Sequence, residues 1–142
     1  MTMSTFLLEI ITPQRIVFSE QVQQVSVPSS SGQIGVLAHH VPLFSELVEG
    51  EVKVVRERDE IFLAIGGGYI EVTPQKVSIL VSVAYKADEI NEKEIMEARK
   101  RAEEALKQKP QGQALIEAQQ MLVRSSIALK LLEKRRSRHI RG

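Results

Sequence analysis

The sequence predicts an α+β protein, in which an all-β sandwich or barrel is followed by an antiparallel hairpin of two helices. Two periodicities indicate this fold class. Between residues 5 and 85, short apolar or alternating runs are separated by turn residues, as in sheets of many short strands. From residue 91 onward, apolar residues recur at steps of three and four, as on one face of a helix. The change falls near Lys86–Ile90, so we predict two domains, residues 1–87 and 88–142.

Six runs in the first domain are predicted to be strands, because each is apolar or alternating. They are residues 5–12, 25–27, 52–54, 61–65, 69–73 and 77–83. The run Ile61–Ile65 is apolar throughout, as in a strand that is buried on both faces. No long helical pattern separates the runs, which excludes β-α-β crossovers.

Two glycine-containing stretches connect these predicted strands. Residues 31–43 include Gly32 and Gly35, and so long a connection in a small β domain indicates a functional or well-packed loop. Gly66–Gly68 precedes a tyrosine and a predicted strand, whereas a phosphate-binding loop requires a following lysine and a helix. We therefore predict a bulge or a sharp bend at these glycines.

The second domain begins with the signals of a helix start. Asn91 is a favourable N-cap, and Glu94 stands three residues later, where a capping box requires it. Pro110 and Gly112 interrupt the helical pattern, so we predict two helices that fold back on each other. The residues predicted to line the seam between them are Ile95, Ala98, Ala102, Ala105, Leu115, Ala118, Leu122, Ser125, Leu129 and Leu132.

Small side chains make this predicted seam weak. At ~0.8 kcal/mol per buried CH₂, burial of an alanine side chain contributes roughly 2 kcal/mol less to stability than burial of a leucine side chain. Helices of this length are also marginally stable in isolation. Two interpretations stay open: the hairpin opens or moves as part of its function, or it is an ordinary surface hairpin.

The charge of the chain is unevenly distributed. Residues 1–87 carry nine acidic and six basic residues, a net charge of −3, whereas residues 88–142 carry nine acidic and thirteen basic residues, a net charge of +4. The basic excess lies at the end, from Lys130 to Arg141. Such an end favours an acidic partner, whether nucleic acid, anionic lipid or a protein loop, or it is a solvated tail.

Catalytic and metal sites are disfavoured. The chain has no cysteine, which excludes disulfides, thiolate catalysis and cysteine-ligated metals. His39–His40 has no third ligand at a suitable spacing, and no Gly-x-Ser-x-Gly motif frames a serine nucleophile. No apolar run approaches the ~20 residues of a membrane-spanning helix, and we expect no secretory signal or transit peptide.

Three motifs resemble those of the epsilon subunit of F-type ATP synthases. Gly32–Leu43 reads GQIGVLAHHVPL, which is similar to a Gly-acid-Ile/Leu-Gly-Ile…Gly-His-x-Pro-Leu pattern of that family. Gly66–Val72 reads GGGYIEV and is similar to a glycine pair before a strand that ends in Glu-Val. Met96–Glu104 reads MEARKRAEE, as in the first helix of the family's hairpin. The motifs span nearly the whole chain in the expected order.

This resemblance implies a sandwich of about ten strands followed by the helical hairpin. It implies a non-catalytic subunit of the rotor, without a cofactor, that associates with the membrane only through the complex. The complex would carry this subunit on the cytoplasmic face of a bacterial plasma membrane or on the equivalent face of an organelle membrane. The sandwich would bind the gamma subunit and the ring of c subunits. The hairpin would lie folded on the sandwich, or extend along gamma and inhibit ATP hydrolysis.

The resemblance also implies two contact surfaces. Gln33, His40 and Pro42 fall at the interface with the c-ring and gamma. Gln33 replaces an acid that is common there, so a salt bridge becomes at best a neutral hydrogen bond. The basic segment, defined as Lys130, Lys134, Arg135, Arg136 and Arg138, would contact an acidic loop of a β subunit.

Nucleotide-sensing relatives carry an Ile/Leu-Asp-x-x-Arg-Ala motif at the start of the first helix. Here Asn91 replaces the aspartate, and Glu94 replaces the arginine and would repel a phosphate. Arg101 and Arg124 fall where two other ATP-contacting arginines would be, but Ala128 replaces a further one. We therefore expect this chain to bind ATP weakly or not at all.

A nucleic-acid-binding module with a basic C-terminal helix is the main alternative. It would bind DNA or RNA in a salt-dependent manner. Its positive charge is confined to one end, however, and Tyr85 is the last aromatic residue, so the helices offer no ring that could stack on bases. We expect no nucleic-acid partner. A small β-sandwich enzyme is a third alternative, but it lacks a candidate catalytic residue.

Overall fold

A computed structural model describes residues 4–141, apart from the side chains of Arg135 and of residues 137–141. Backbone contacts divide the described chain into two parts, with the division after Lys86. The first part consists of strands and the second of helices.

Ten strands form the N-terminal part. They are β1 (Phe6–Ile11), β2 (Ile16–Val22), β3 (Gln24–Ser29), β4 (Gly32–Leu37), β5 (Leu43–Leu47), β6 (Gly50–Val55), β7 (Glu60–Ile65), β8 (Gly68–Val72), β9 (Lys76–Val81) and β10 (Ala84–Lys86). Neighbouring strands are antiparallel except β1 and β9, which are parallel. With the two helices that follow, this confirms the predicted fold class.

Strand β3 connects the two layers of the sandwich. Its residues Gln24–Ser26 pair with β6, whereas Ser29 at its end pairs with Leu47 of β5. One layer therefore has the order β10-β7-β6-β3, with β4 also paired to β3, and the other has the order β5-β8-β9-β1-β2.

The core of the sandwich lies between the inward faces of these layers. Strand β8 alternates as predicted, with Ile70 and Val72 buried. In β9, Val77, Ile79 and Val81 are buried as predicted, but Ser78 between them is buried as well. Strand β7 ends in the consecutive buried residues Leu63, Ala64 and Ile65, which fits the predicted burial of that strand on both faces.

The chain crosses between the layers at Gly66 and Gly67, which confirms the predicted sharp bend. The backbone N–H of Gly66 donates to the carbonyl oxygen of Val83 at 3.0 Å, and the N–H of Ser82 donates to the carbonyl oxygen of Gly67 at 3.2 Å. The return crossing from β9 to β10 therefore runs beside the first crossing, and the two hold each other through their backbones.

Gly68, the first residue of β8, lies unusually close to β9. A Cβ atom added at Gly68 would overlap the carbonyl oxygen of Leu80 and would lie 2.8 Å from the Cα atom of Val81. Both are backbone atoms that have little freedom to move aside, so the position requires glycine.

Part of the predicted loop at residues 31–43 is a strand, so that prediction is wrong for Gly32–Leu37. Strand β4 pairs with β3 along its whole length. Val36 is its one buried residue, and two of its six residues are glycines, so the sequence of β4 shows no alternation of apolar and polar side chains. Strands β2, β5 and β10 were not predicted either. In β2 the neighbours Val17 and Phe18 are both buried, close to an irregularity in the pairing with β1 that disrupts the period of two.

The C-terminal part begins with a short 3₁₀ turn, Ala87–Glu89, and continues as helices α1 (Glu92–Lys107) and α2 (Gln113–Arg141). Asn91 is the N-cap of α1, and its side-chain oxygen accepts a hydrogen bond from the backbone N–H of Glu94 at 3.2 Å. The predicted N-cap and the predicted break between the helices are therefore confirmed.

The seam of the hairpin agrees with the prediction only in part. Ala102, Ala118 and Ser125 are buried as predicted, but Ala105 is exposed. The predicted leucines are half-buried, while three residues outside the predicted set are buried, namely Ile127, Ala128 and Leu131. The 3₁₀ turn also lies against α2, so this helix has a second neighbour and buries a wider stripe than a two-helix seam requires.

Candidate functional site

Gln33 lies near the start of β4 with an exposed side chain, directly opposite Pro28 of β3. Strand β4 pairs with β3, and no second strand is paired with it among the described residues. The side chain is therefore displayed on an open strand, where a partner can approach it.

The turn after β4 holds the other two candidates for the sandwich interface. His39 has a φ angle of 63°, in the left-handed region, where the chain reverses. The backbone N–H of His40 donates to the carbonyl oxygen of Leu37 at 3.3 Å, and its Nδ1 atom lies 2.7 Å from the carbonyl oxygen of Val41. Pro42 is exposed just before β5 begins. These contacts fix the direction in which the His40 ring points.

The structure does not gather these three candidates into one contact. Gln33 lies at one end of β4, whereas His40 and Pro42 lie beyond the other end. Four residues of strand span about 13 Å at ~3.3 Å per residue. A partner that touches all three has to extend along the strand.

Sequence reasoning missed an apolar surface on the outward face of the second layer. Strand pairing places four side chains in a row, namely Ile16, Ile11, Leu80 and Tyr69, and Phe44 joins them diagonally beside Tyr69. We call these five side chains the outer apolar strip. The rings of Phe44 and Tyr69 stack with their centroids 5.3 Å apart, although Phe44 is 64% exposed and Tyr69 is 47% exposed. The signal was present in the alternation of β8, because an inward Ile70 turns Tyr69 outward.

Carboxylates border the outer apolar strip. Glu46 and Glu71 lie opposite its two aromatic residues on the neighbouring strands and are exposed. Glu9 of β1 forms an ion pair with Lys76, whose Nζ atom is 2.8 Å from Glu9 Oε1, and this hydrogen bond raises the pKa of Lys76. An apolar partner surface flanked by basic residues complements this arrangement.

Arg56, in the turn between β6 and β7, connects the two layers at their rim. Its guanidinium donates two hydrogen bonds to Asp59, at 2.7 and 2.6 Å, and lies 3.2 Å from a carboxylate oxygen of Glu20 in β2. The hydrogen bond from Arg56 lowers the pKa of Asp59. This cluster joins the two layers and lies outside the candidate interface.

The basic segment is described only in part. Lys130, Lys134 and Arg136 are exposed on α2, whereas Arg135 and Arg138 lie outside the described side chains. The guanidinium of Arg136 donates a hydrogen bond to the carboxylate of Glu92, the first residue of α1. An ion pair therefore joins the two helices at the end of the hairpin opposite its turn.

The two arginines predicted as weak nucleotide ligands lie on different helices. Arg101 is exposed on α1 and Arg124 is half-buried on α2, and within the described residues no ion pair involves either of them. The Asn91 side chain caps α1 through its oxygen, and Glu94 is exposed beside it. A phosphate in this place meets an exposed carboxylate.

Among the side chains that the structure describes, no group of three histidine, aspartate or glutamate residues is arranged to hold a metal ion. No helix within residues 4–141 is both long and apolar enough to cross a membrane.

Comparisons with known proteins agree on one family. Residues 5–87 match the family described as "ATP synthase, Delta/Epsilon chain, beta-sandwich domain". The ATP synthase epsilon chain of Herpetosiphon aurantiacus is 40% identical over 131 residues, which cover 92% of this chain and 96% of that one. The ATP synthase epsilon chain of Dehalococcoides mccartyi is 38% identical over 135 residues, which cover 94% and 96%.

Solved structures share the fold at lower identity. A chain in the Euglena gracilis mitochondrial ATP synthase (OSCP/F1/c-ring) aligns with a TM-score of 0.62 at 21% identity, over 92% of this chain and 83% of that one. A chain in the central stalk/c-ring part of the Tetrahymena thermophila mitochondrial ATP synthase aligns with a TM-score of 0.53 at 11% identity, over 63% and 72%.

Proposed function

Because this chain belongs to the ATP synthase epsilon chain family, we propose that it is a non-catalytic rotor subunit that connects gamma to the c-ring and restrains ATP hydrolysis. The observation that carries this proposal is that the likeness to epsilon chains extends along 92% of the chain, and so through both the sandwich and the hairpin. The chain therefore has both the sandwich that a docking role requires and the hairpin that a regulatory role requires.

The sandwich is the docking part in this proposal. Gln33, His40 and Pro42 contact the c-ring and gamma, and the outer apolar strip enlarges the surface available to gamma. Exposed aromatic residues at the centre of a patch with a charged rim are the usual composition of a protein interface. The acidic rim selects a partner surface that carries lysine or arginine beside its apolar residues.

The hairpin is the inhibitory part. The basic segment contacts an acidic loop of a β subunit when the hairpin extends along gamma, and charge complementarity of this kind is strongest at low salt. The small buried residues of the seam, such as Ala102, Ala118 and Ala128, support a hairpin that opens at low cost. Such a switch needs two arrangements within a few kcal/mol of each other.

In this proposal the subunit itself has no catalytic residue and no cofactor, binds ATP weakly or not at all, and has no nucleic-acid partner. It associates with the membrane through the complex, on the cytoplasmic face of a bacterial plasma membrane or the equivalent face of an organelle membrane. The exposed Glu94 at the start of α1, which would repel a phosphate, supports weak nucleotide binding. A calorimetric titration of the chain with ATP tests this point, and a dissociation constant in the micromolar range contradicts it.

Neutralisation of the basic segment tests the inhibitory role. The combined substitution Lys134→Gln, Arg135→Gln, Arg136→Gln and Arg138→Gln removes four positive charges from the end of the chain. We expect the inhibitory contact to weaken by about tenfold or more, because several charge pairs are lost together. ATP hydrolysis by the assembled complex should therefore rise, while the amount of subunit bound to gamma and the c-ring stays the same.

A matched control removes four charges from the other helix. Lys93, Lys100, Arg101 and Lys107 are exposed on α1, and their replacement by glutamine changes the net charge equally. We expect this control to leave hydrolysis unchanged. If hydrolysis is the same in the basic-segment variant and in the unmodified complex, the basic segment is not the inhibitory contact.

A further inference from the structure

The ion pair between Glu92 and Arg136 is placed where it can regulate the hairpin. Glu92 is the first residue of α1, and Arg136 lies in the last two turns of α2. The pair therefore bridges the open end of the hairpin, far from the turn at residues 108–112. The side chains are 37% and 60% exposed, so water and other charged groups can reach both.

The start of α1 favours this pairing. A carboxylate in the first turn of a helix interacts favourably with the positive end of the helix dipole, and Glu92 is in this place. Arg136 precedes the last turn of α2, so the dipole of that helix adds little. Since the pair is also solvent-exposed, its strength is modest, and it can open and close readily.

Arg136 has two possible partners once the proposed function is considered. It belongs to the basic segment, whose proposed target is an acidic protein surface, but in the closed hairpin it is already bound to a carboxylate of its own chain. The single contact leaves other N–H donors of Arg136 free, but the Glu92 carboxylate offsets the positive charge of Arg136 and repels a second acidic group that approaches it.

We propose that Glu92 is an internal competitor for Arg136, which it holds away from the acidic partner surface until the hairpin opens. This inference rests on the proposed function, because it concerns the regulation of the same basic segment. Within the closed hairpin, Glu92 binds Arg136 in place of the acidic partner. The ion pair therefore helps to hold the hairpin closed and keeps one of the inhibitory cations from the partner.

The test compares Glu92→Gln, Arg136→Gln and the double variant in the full chain. Each is added in increasing amounts to a complex that has been depleted of this subunit, and ATP hydrolysis is measured. We expect Glu92→Gln to lower the concentration for half-maximal inhibition by about two- to fivefold, the range for loss of one exposed ion pair. Arg136→Gln also breaks the ion pair, but it removes the contact with the partner as well, and a contact at a protein interface is worth more than one exposed ion pair, so that concentration should rise. The double variant should behave like Arg136→Gln.

The opposite signs of the two single variants separate competition from a simple latch. If Arg136→Gln strengthens inhibition as Glu92→Gln does, the pair only holds the hairpin closed and the inference is wrong. Glu97→Gln is the matched control, since Glu97 is an exposed glutamate on the same helix, and it should leave inhibition unchanged.

Two further outcomes separate this inference from the proposed function. If Glu92→Gln has no effect while the four-charge variant of the basic segment relieves inhibition, the inference is wrong and the proposed function stands. If the four-charge variant also leaves hydrolysis unchanged, the inhibitory role itself is wrong. Hydrogen exchange at the amides of the second turn of α1 checks the pair independently, and should quicken in both single variants and no further in the double variant.

Discussion

At Gly68 the backbones of β8 and β9 approach so closely that a side chain cannot fit. We expect Gly68→Ala to destabilise the protein by roughly 3 kcal/mol, at the upper end of the range for overpacking, because the added Cβ meets the backbone of Leu80 and Val81. The neighbouring Gly67 is the control, since a Cβ there would be 3.6 Å from the nearest atom, the Leu47 carbonyl oxygen. Urea unfolding measures both variants, and equal losses would contradict the steric explanation.

The carboxylate of Asp59 gives the sandwich a specific dependence on pH. Its pKa lies below the usual value of 3.8 because it accepts hydrogen bonds from Arg56. A depressed folded-state pKa contributes stability above the unfolded pKa, and this contribution is lost as the pH falls through the folded value. We expect the unmodified protein to be more stable than Asp59→Asn at neutral pH. This difference should shrink once the pH falls below the usual pKa of 3.8, and vanish in stronger acid.

Thermal unfolding of both proteins across this acid range measures the effect. Asp88→Asn is the control, because Asp88 is also an exposed aspartate but lies outside the Arg56 cluster. A difference between the unmodified protein and Asp59→Asn that stays constant in acid would show that the hydrogen-bonded carboxylate is not its source.

Individual residues could be predicted where their role is local. The Asn91 N-cap and the bend at Gly66–Gly68 each depend on a few consecutive residues, so the sequence reveals them. The contact of Arg56 with Glu20 joins residues that are 36 positions apart, and it depends on how the two layers meet. No spacing in the sequence indicates such a contact.

At the scale of elements, the outer apolar strip leads to a prediction about gamma. Leu80 is 46% exposed and lies next to Tyr69 in the middle of the strip, so Leu80→Lys should leave the fold intact. It should weaken binding of gamma by more than about tenfold, because a charge would be buried in the centre of the interface. Val48→Lys, at an exposed valine outside the strip, is the control, and equal binding by both variants would exclude the strip from the interface.

Strands β4 and β2 were not predicted because their sequences lack a clear alternation of apolar and polar residues. A period of two is visible only where one face is buried and the other is polar. Strand β4 has two glycines, and β2 has adjacent buried residues beside an irregular pairing. The strip was missed for another reason, because it joins outward residues of five strands that only the strand pairing brings together.

Over the whole molecule, the sequence indicated two parts and their order, because the change from strand to helix periodicity is abrupt near Lys86. The candidate surfaces were harder to predict. Gln33 and His40 were identified through resemblance to a family, whereas their separation along β4 follows only from the folded chain. The pairing of Arg136 with Glu92 likewise depends on how far α2 runs past the start of α1.

The proposed switch depends on the balance between closed and open hairpins, and Ala102 is placed to test that balance. It is 1% exposed in the seam, so Ala102→Leu forces extra volume between the helices and should cost the closed state about 1–3 kcal/mol. A population that favours the closed hairpin by a few kcal/mol then shifts substantially toward the open one.

Inhibition of ATP hydrolysis by the assembled complex should consequently become stronger, and amides of α1 should exchange faster in the free subunit. Ala105→Leu adds the same volume at an exposed position one turn later, and should leave both quantities unchanged. If Ala102→Leu instead slows exchange in α1 and weakens inhibition, the seam has room for a larger side chain and the small residues are not what lets the hairpin open. Because the sandwich is untouched, binding to gamma and the c-ring should be the same in both variants, which separates the switch from the docking role.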